Sequence, residues 1–273
     1  MNIAISNIAW NKEEDGEIAK ILKKYKISGI EVAPTKIWKN PLEANDKEVK
    51  RYKNYWLDNG IRIIAMQSLL FGHPELTIFD SKETRAKTID YISRIIHLSF
   101  LLDSRIMVFG SPKNRKVNGL EHNKALGIAC EFFYKIAEIC RPYNIFFCIE
   151  PNPPQYGADF ILNTNDAIKL VTAVNHPHFR LHLDTSTMTI NRESYEDSIK
   201  NGLSILKHFH ISEPYLEPIE KEGKVDNGKI AAVLKKLNYN DNKWISIEMR
   251  SSDNDSNIER VDKALALVTG IYR

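Results

Sequence analysis

Cysteine is scarce in this sequence, with three among 273 residues. Cys130, Cys140 and Cys148 are odd in number, lie within apparent helix or strand and show no CxxC spacing, so neither a disulfide framework nor a structural zinc site is expected. They read as buried free thiols. Long apolar runs are missing too. No segment approaches the roughly 20 uninterrupted apolar residues of a membrane span, and the opening MNIAISNIAWNKEEDG lacks the basic and apolar regions of a secretory leader. No membrane partner and a cytoplasmic location are therefore expected. Neither sign of charge dominates: 38 basic and 35 acidic residues leave a formal net charge of +3, and no Lys/Arg block marks a nucleic-acid surface. A small anionic ligand remains compatible with that balance. Also absent is the Gly-rich phosphate loop that a doubly wound open sheet usually carries after an early strand.

What the chain does have is alternation. Short β-branched runs at 2–8, 29–33, 61–67, 105–110, 145–150, 180–184, 207–212 and 244–248 read as strands. Between them lie segments such as EDGEIAKILKKY, SKETRAKTIDYISRIIHLSFLL, HNKALGIACEFFYKIAEIC and NIERVDKALALVTGIY, whose apolar residues recur at three and four and so predict helices. Ser81 with Thr84, and Asn163 with Asp166, mark helix starts. Eight strands is the number a closed parallel barrel requires. With 43% hydrophobic residues and no linker or composition shift, the chain reads as one α/β domain over 1–273, a (β/α)8 TIM barrel.

In such a barrel the carboxyl ends of the strands form the face that binds and reacts. Read together, strand five ends on Glu150, strand six on Asp184, strand seven on His210 and strand eight, in KWISIEMR, on Glu248. A carboxylate at the end of an apolar strand needs a cation, a proton or a hydrogen-bond donor, because an isolated buried charge is expensive. Four consecutive strands each delivering one oxygen or nitrogen donor at the same end suit a divalent cation: Mn²⁺, Co²⁺, Mg²⁺ or Zn²⁺.

Several stretches, namely SNIAW, GIEVAPTKIW, QSLLFG, VFGSPKNR, CIEPNP, HLDT, HFHISEP and SIEMR, resemble the xylose isomerase-like TIM barrels of sugar phosphate isomerases and epimerases. The resemblance spans essentially the whole chain. It implies that Glu150, Asp184, His210 and Glu248 bind one divalent metal ion and that Glu150 and Glu248 are the catalytic acid/base pair. The implied activity is isomerisation or epimerisation of a sugar or sugar phosphate, by proton transfer through an enediolate. The chemistry is consistent with the residues: a metal held by two adjacent substrate oxygens stabilises the enediolate, one carboxylate removes the proton, and the other returns it. Ketose epimerases of this family often carry histidine three residues after the aspartate, where Thr187 stands here, and tend to carry another where Asn227 stands. These departures point to a different substrate or to the loss of part of the usual site.

Other polar positions are candidates for substrate contact. Strand alternation turns His182 and His208 into the barrel interior, as core histidines or as hydrogen-bond partners of a ligand. Glu31 and Gln67 end strands two and three, within reach of a sugar hydroxyl, although Glu31 suits pairing with a barrel lysine or arginine equally well. Trp10 either stacks on a sugar face or covers the barrel mouth. Glu213 follows His210 in HFHISEP. Lys113, Arg115 and Arg250 are expected around the mouth, placed to hold a phosphate, a carboxylate or the charged end of a nucleotide-linked sugar. A metal-dependent sugar lyase or dehydratase would use the same site, and a carbohydrate-binding barrel is the non-enzyme reading. An abasic-site endonuclease would gather more strand-end histidines and a basic face, whereas strands two, three and four end on Glu31, Gln67 and Gly110. The expected partner is a small carbohydrate and not nucleic acid, with homo-oligomer formation left open.

Overall fold

The β-branched runs form eight parallel strands, each hydrogen-bonded to the next and the last to the first, in a computed structural model that describes residues 1–239 and 243–273. The strands are β1 (Asn2–Ser6), β2 (Gly29–Val32), β3 (Arg62–Met66), β4 (Ile106–Phe109), β5 (Phe146–Ile149), β6 (Phe179–Asp184), β7 (Leu206–Ile211) and β8 (Trp244–Ile247). Around them lie the helices α1 (Asp15–Lys24), α2 (Pro34–Ile37), α3 (Asp46–Asp58), α4 (Lys82–Leu101), α5 (His122–Cys140), α6 (Thr164–Val174), α7 (Thr185–Ile190), α8 (Tyr195–Gly202), α9 (Asn227–Lys236) and α10 (Asn257–Tyr272). The expected (β/α)8 TIM barrel is the observed fold. Among the described residues no helix is long and apolar enough to cross a membrane.

Helix starts follow local chemistry. The Ser81 hydroxyl accepts from the Thr84 amide and the Asn163 side chain from the Asp166 amide, each satisfying a backbone donor that the first helical turn leaves free. The main core lies between strands and helices, where Phe133 of α5 packs against Phe109, Phe132, Phe147 and Phe179. Cys140 and Cys148 are buried free thiols, and Cys130 is partly exposed.

Inside the barrel the chemistry changes along the axis. Near the amino ends of the strands Ala4, Ile64, Ile106, Val108 and Cys148 form an apolar layer. Above it come Glu31, His182, His208, His210 and Ser246, all fully buried. Register brings the polar residues to one level, pairing Asp184 with His210 and His210 with Ser246.

Because Phe133 is fully buried among four aromatic rings, its replacement by alanine leaves a cavity that the barrel wall cannot close. Phe133→Ala should lower stability by about 3–5 kcal/mol, read from the urea midpoint, with the far-ultraviolet spectrum of the folded protein unchanged.

Candidate metal centre

Each of the four proposed donors sits where a strand meets its loop. Glu150 follows β5 and Glu248 follows β8, Asp184 is the last residue of β6, and His210 is the penultimate residue of β7. One donor atom from each lies within 4.8 Å of the others, so the four strands converge on a volume suited to a single ion. Room for this comes from Gly110, the residue after β4, where any Cβ would collide with the Glu150 carboxylate. A cleft of about 290 Å³ at the opposite end of the barrel, lined by Arg62, Arg105, Phe146, Lys207 and Trp244, contains none of these donors. That end of a barrel serves stability more often than chemistry.

The donors are held differently. Asp184 caps α7: its Oδ1 accepts from the Ser186 hydroxyl at 2.7 Å and the Thr187 amide at 2.9 Å, and its Oδ2 accepts from the Ser212 hydroxyl. His210 presents its two nitrogens to two carboxylates. Nε2 lies 2.8 Å from Glu31 Oε2, and Nδ1 lies 3.2 Å from Glu248 Oε2 but outside hydrogen-bond geometry. No hydrogen bond among the described residues ties down the Glu150 carboxylate, whose nearest basic partner is His182 Nε2 at 4.0 Å.

These surroundings shift the ionisation of the site. Burial, then the neighbouring Glu248 and Asp184, push the Glu150 carboxyl up to about 8. Burial also raises Glu248, against the opposing pull of His210. Burial works against protonating His210, yet Glu31 and Glu248 together raise it well above an ordinary histidine. Burial likewise opposes ionisation of Glu31, which His210 and His208 nevertheless hold well below the usual carboxylate range. His182 is pushed well down by burial, then by His210 and His208, and remains a neutral imidazole. A cluster of carboxylates that would retain a proton near neutrality, with a histidine Nδ1 facing them unpaired, has the donor set and the charge deficit that a divalent cation satisfies.

Other expected substrate contacts lie elsewhere. Arg115 is fully buried. Its guanidinium donates to the carbonyls of Gly110, Phe160, Ile161 and Glu150 and to Asn152 Oδ1. No donor is left for a substrate anion, and the side chain instead pins the loops beneath Glu150. Lys113 is exposed, and Arg250 points to solvent with Nη2 3.6 Å from Glu217 Oε1. The three cations therefore do not converge on one mouth. Trp10 is 1% exposed, packs on Trp56 and donates to Asp15, so it covers the barrel and offers no free face for stacking. Gln67 donates to the Ser6 hydroxyl. Glu213 accepts from the Lys224 and Val225 amides and organises that turn. Glu31 meets His210 and His208 where a barrel cation or a sugar hydroxyl was an alternative. His182 packs its ring 4.1 Å from that of His210.

At the two positions where the resemblance led histidine to be expected, this chain has residues satisfied internally. Thr187 donates to the Pro151 carbonyl, and Asn227 Oδ1 accepts from the Tyr272 hydroxyl. Sequence reasoning missed the rim. Tyr156 bridges the Ser186 hydroxyl and the Tyr215 amide, its ring edge-on to Tyr215, while Tyr215 and Leu216 adopt φ of 64° and 58°. Two consecutive bulky residues in the left-handed region are strained and need such anchors. The Asp-Thr-Ser-Thr run at 184–187 carried one legible signal, the capping geometry of Asp184.

Solved structures with this fold include a D-psicose 3-epimerase from Clostridium cellulolyticum H10, at a TM-score of 0.81 and 16% identity with both chains covered in full. A 3-keto-D-glucoside 4-epimerase from E. coli also superposes at 0.81 with 16% identity over 99% of each chain. A probable 3-DHS dehydratase from Bacillus anthracis superposes at 0.75 with 16% identity, covering 98% of this chain and 99% of its own. At such identity the likeness establishes the fold alone. The sequence profile of one family matches residues 19–269, and by that match the chain belongs to the xylose isomerase-like TIM barrel family.

Proposed function

We propose that this protein is a divalent-metal-dependent isomerase or epimerase of sugars, with Glu150, Asp184, His210 and Glu248 as metal ligands and Glu150 and Glu248 as the acid/base pair. The observation that carries the reading is the convergence of four donors from four consecutive strands within 4.8 Å. A bound cation would hold adjacent substrate oxygens and offset the negative charge that develops on them during proton removal. Asp184, with both oxygens engaged by hydroxyls or an amide, is suited to hold and not to exchange protons. Glu150 and Glu248 lack such restraints, and burial raises both toward neutrality, where a carboxylate both accepts and returns a proton effectively. The withdrawal of Arg115 and the outward position of Arg250 remove two of the three cations expected to hold an anion, which favours an uncharged sugar over a sugar phosphate. The family of solved epimerases with this fold supports the same substrate class.

If the four residues are ligands, Asp184→Ala should lose most of its bound Mn²⁺ or Co²⁺ while keeping the wild-type far-ultraviolet spectrum. Full metal content by elemental analysis in that variant would overturn the assignment.

Protons and metal compete for the same atoms. Above about pH 6.5 an unfolded chain has neutral histidines and ionised carboxylates, whereas the metal-free native state retains protons on Glu150, up to about pH 8, and on His210. The native state binds more protons, so its stability falls as pH rises through that window. The melting temperature of metal-free protein should therefore drop from pH 6.5 to 9. Apparent Mn²⁺ affinity should rise over the same range, because binding releases those protons. A pH-independent affinity would contradict the ligand roles of both residues.

The chemistry is tested by isotope exchange, which requires no knowledge of the product. In D₂O the metal-loaded protein should place deuterium on carbon beside the carbonyl of a neutral ketose or aldose, more readily than on the corresponding phosphate. Glu248→Gln should slow exchange by roughly 10²- to 10⁴-fold. Tight sugar binding without exchange at any carbon would identify a carbohydrate-binding barrel, and loss of water from the substrate would identify a dehydratase.

A further inference from the structure

We propose that Glu31 is the positioning residue of the metal centre: reaching across the barrel from β2, it holds the His210 Nε2–H and thereby turns Nδ1 toward Glu150, Asp184 and Glu248. The inference rests on the metal-centre reading and adds a component outside the four ligands.

Glu31 is fully buried, and its Oε2 lies 2.8 Å from His210 Nε2 and 3.4 Å from His208 Nε2. Strands β2 and β7 are not neighbours in the barrel, so this contact spans the interior. An imidazole that gives one nitrogen to a cation must carry its proton on the other, and an acceptor at that second nitrogen fixes the tautomer. A carboxylate does so most strongly, because the hydrogen bond is charge-assisted. The ring has little freedom otherwise. His182 lies edge-on at 4.1 Å and 71°, and His208 lies edge-on at 5.2 Å and 80°, so the plane is confined from two sides.

What packing alone leaves open is a half-turn of the ring about Cβ–Cγ. That flip would present a carbon to the four-residue site and Cε1–H to Glu31. The carboxylate removes this degeneracy, since only Nε2–H donates to it. His210 Nδ1 accordingly stands 3.2 Å from Glu248 Oε2, one of the proposed ligands, without a hydrogen bond of its own. No substrate hydroxyl is needed to explain the burial of Glu31.

The test compares wild type with Glu31→Gln and Glu31→Ala, using Mn²⁺ titration and side-chain ¹⁵N–¹H spectra of the Zn²⁺-loaded proteins. In wild type His210 should show an Nδ1-bound ring with a slowly exchanging Nε2 proton. Glu31→Ala should bind Mn²⁺ about 10- to 100-fold more weakly and lose that protected proton. Glu31→Gln retains the size and an amide oxygen as acceptor, so it should keep the Nδ1-bound signature with a smaller loss of affinity. It also decides the matter if the alanine variant does not fold. Folded variants with a lowered melting temperature but wild-type Mn²⁺ affinity and unchanged His210 nitrogen shifts would show a merely structural role and overturn the proposal. Asp184→Ala serves as the control: retention of Mn²⁺ there overturns the metal-centre reading itself, so the two failures are distinguishable.

Discussion

The withdrawal of several carboxylates from water, with their mutual repulsion added to it, is the constraint on which the upper half of this barrel depends. Glu31, Glu150, Asp184 and Glu248 approach one another in an interior with one raised histidine to share. Each is compensated in its own way. Asp184 has hydroxyls and an amide from α7 and the residue after β7; Glu31 has two imidazoles. Glu150 and Glu248 have little beyond each other and His210. That residual deficit is the physical reason to assign a cation and proton-transfer chemistry to the same pair of groups.

Most of the fold was legible in the sequence because its signals are local. Strand boundaries fell within one or two residues of those expected, and α5 and α10 span the same residues as the segments HNKALGIACEFFYKIAEIC and NIERVDKALALVTGIY. Helix caps at Ser81 and Asn163 depend on atoms three residues apart. The candidate ligands were legible for a related reason: each terminates a strand, and barrel topology places strand ends together.

What escaped sequence reading depends on loop paths and contacts across the barrel. Lys113 and Arg115 are two residues apart in GSPKNR, yet one is exposed and the other is consumed by four carbonyls and an asparagine. Nothing in their spacing separates them, because the difference arises from residues 150–161, whose carbonyls and Asn152 surround the Arg115 guanidinium. The partner of Glu31 is 179 positions away. Trp10 and Glu213 similarly serve the architecture of the mouth. Thr187 and Asn227 are explained in part: each is integrated into a neighbouring element by a hydrogen bond, Thr187 to the Pro151 carbonyl and Asn227 from the Tyr272 hydroxyl.

The division of labour around the barrel has a consequence for how such a protein changes over time. All four proposed ligands come from β5 to β8 or the residues that follow them, whereas β1 to β4 and the residues that follow them contribute Glu31, the Ser6–Gln67 pair and Gly110, whose lack of a side chain admits the Glu150 carboxylate. Insertions in the loops that follow β1 to β3 would leave the four proposed ligands on their strands, whereas changes in the loop after β4 would disturb Arg115, which donates to the Glu150 carbonyl. The half of the ring that would hold an ion and the half that would meet its substrate could thus change at different rates.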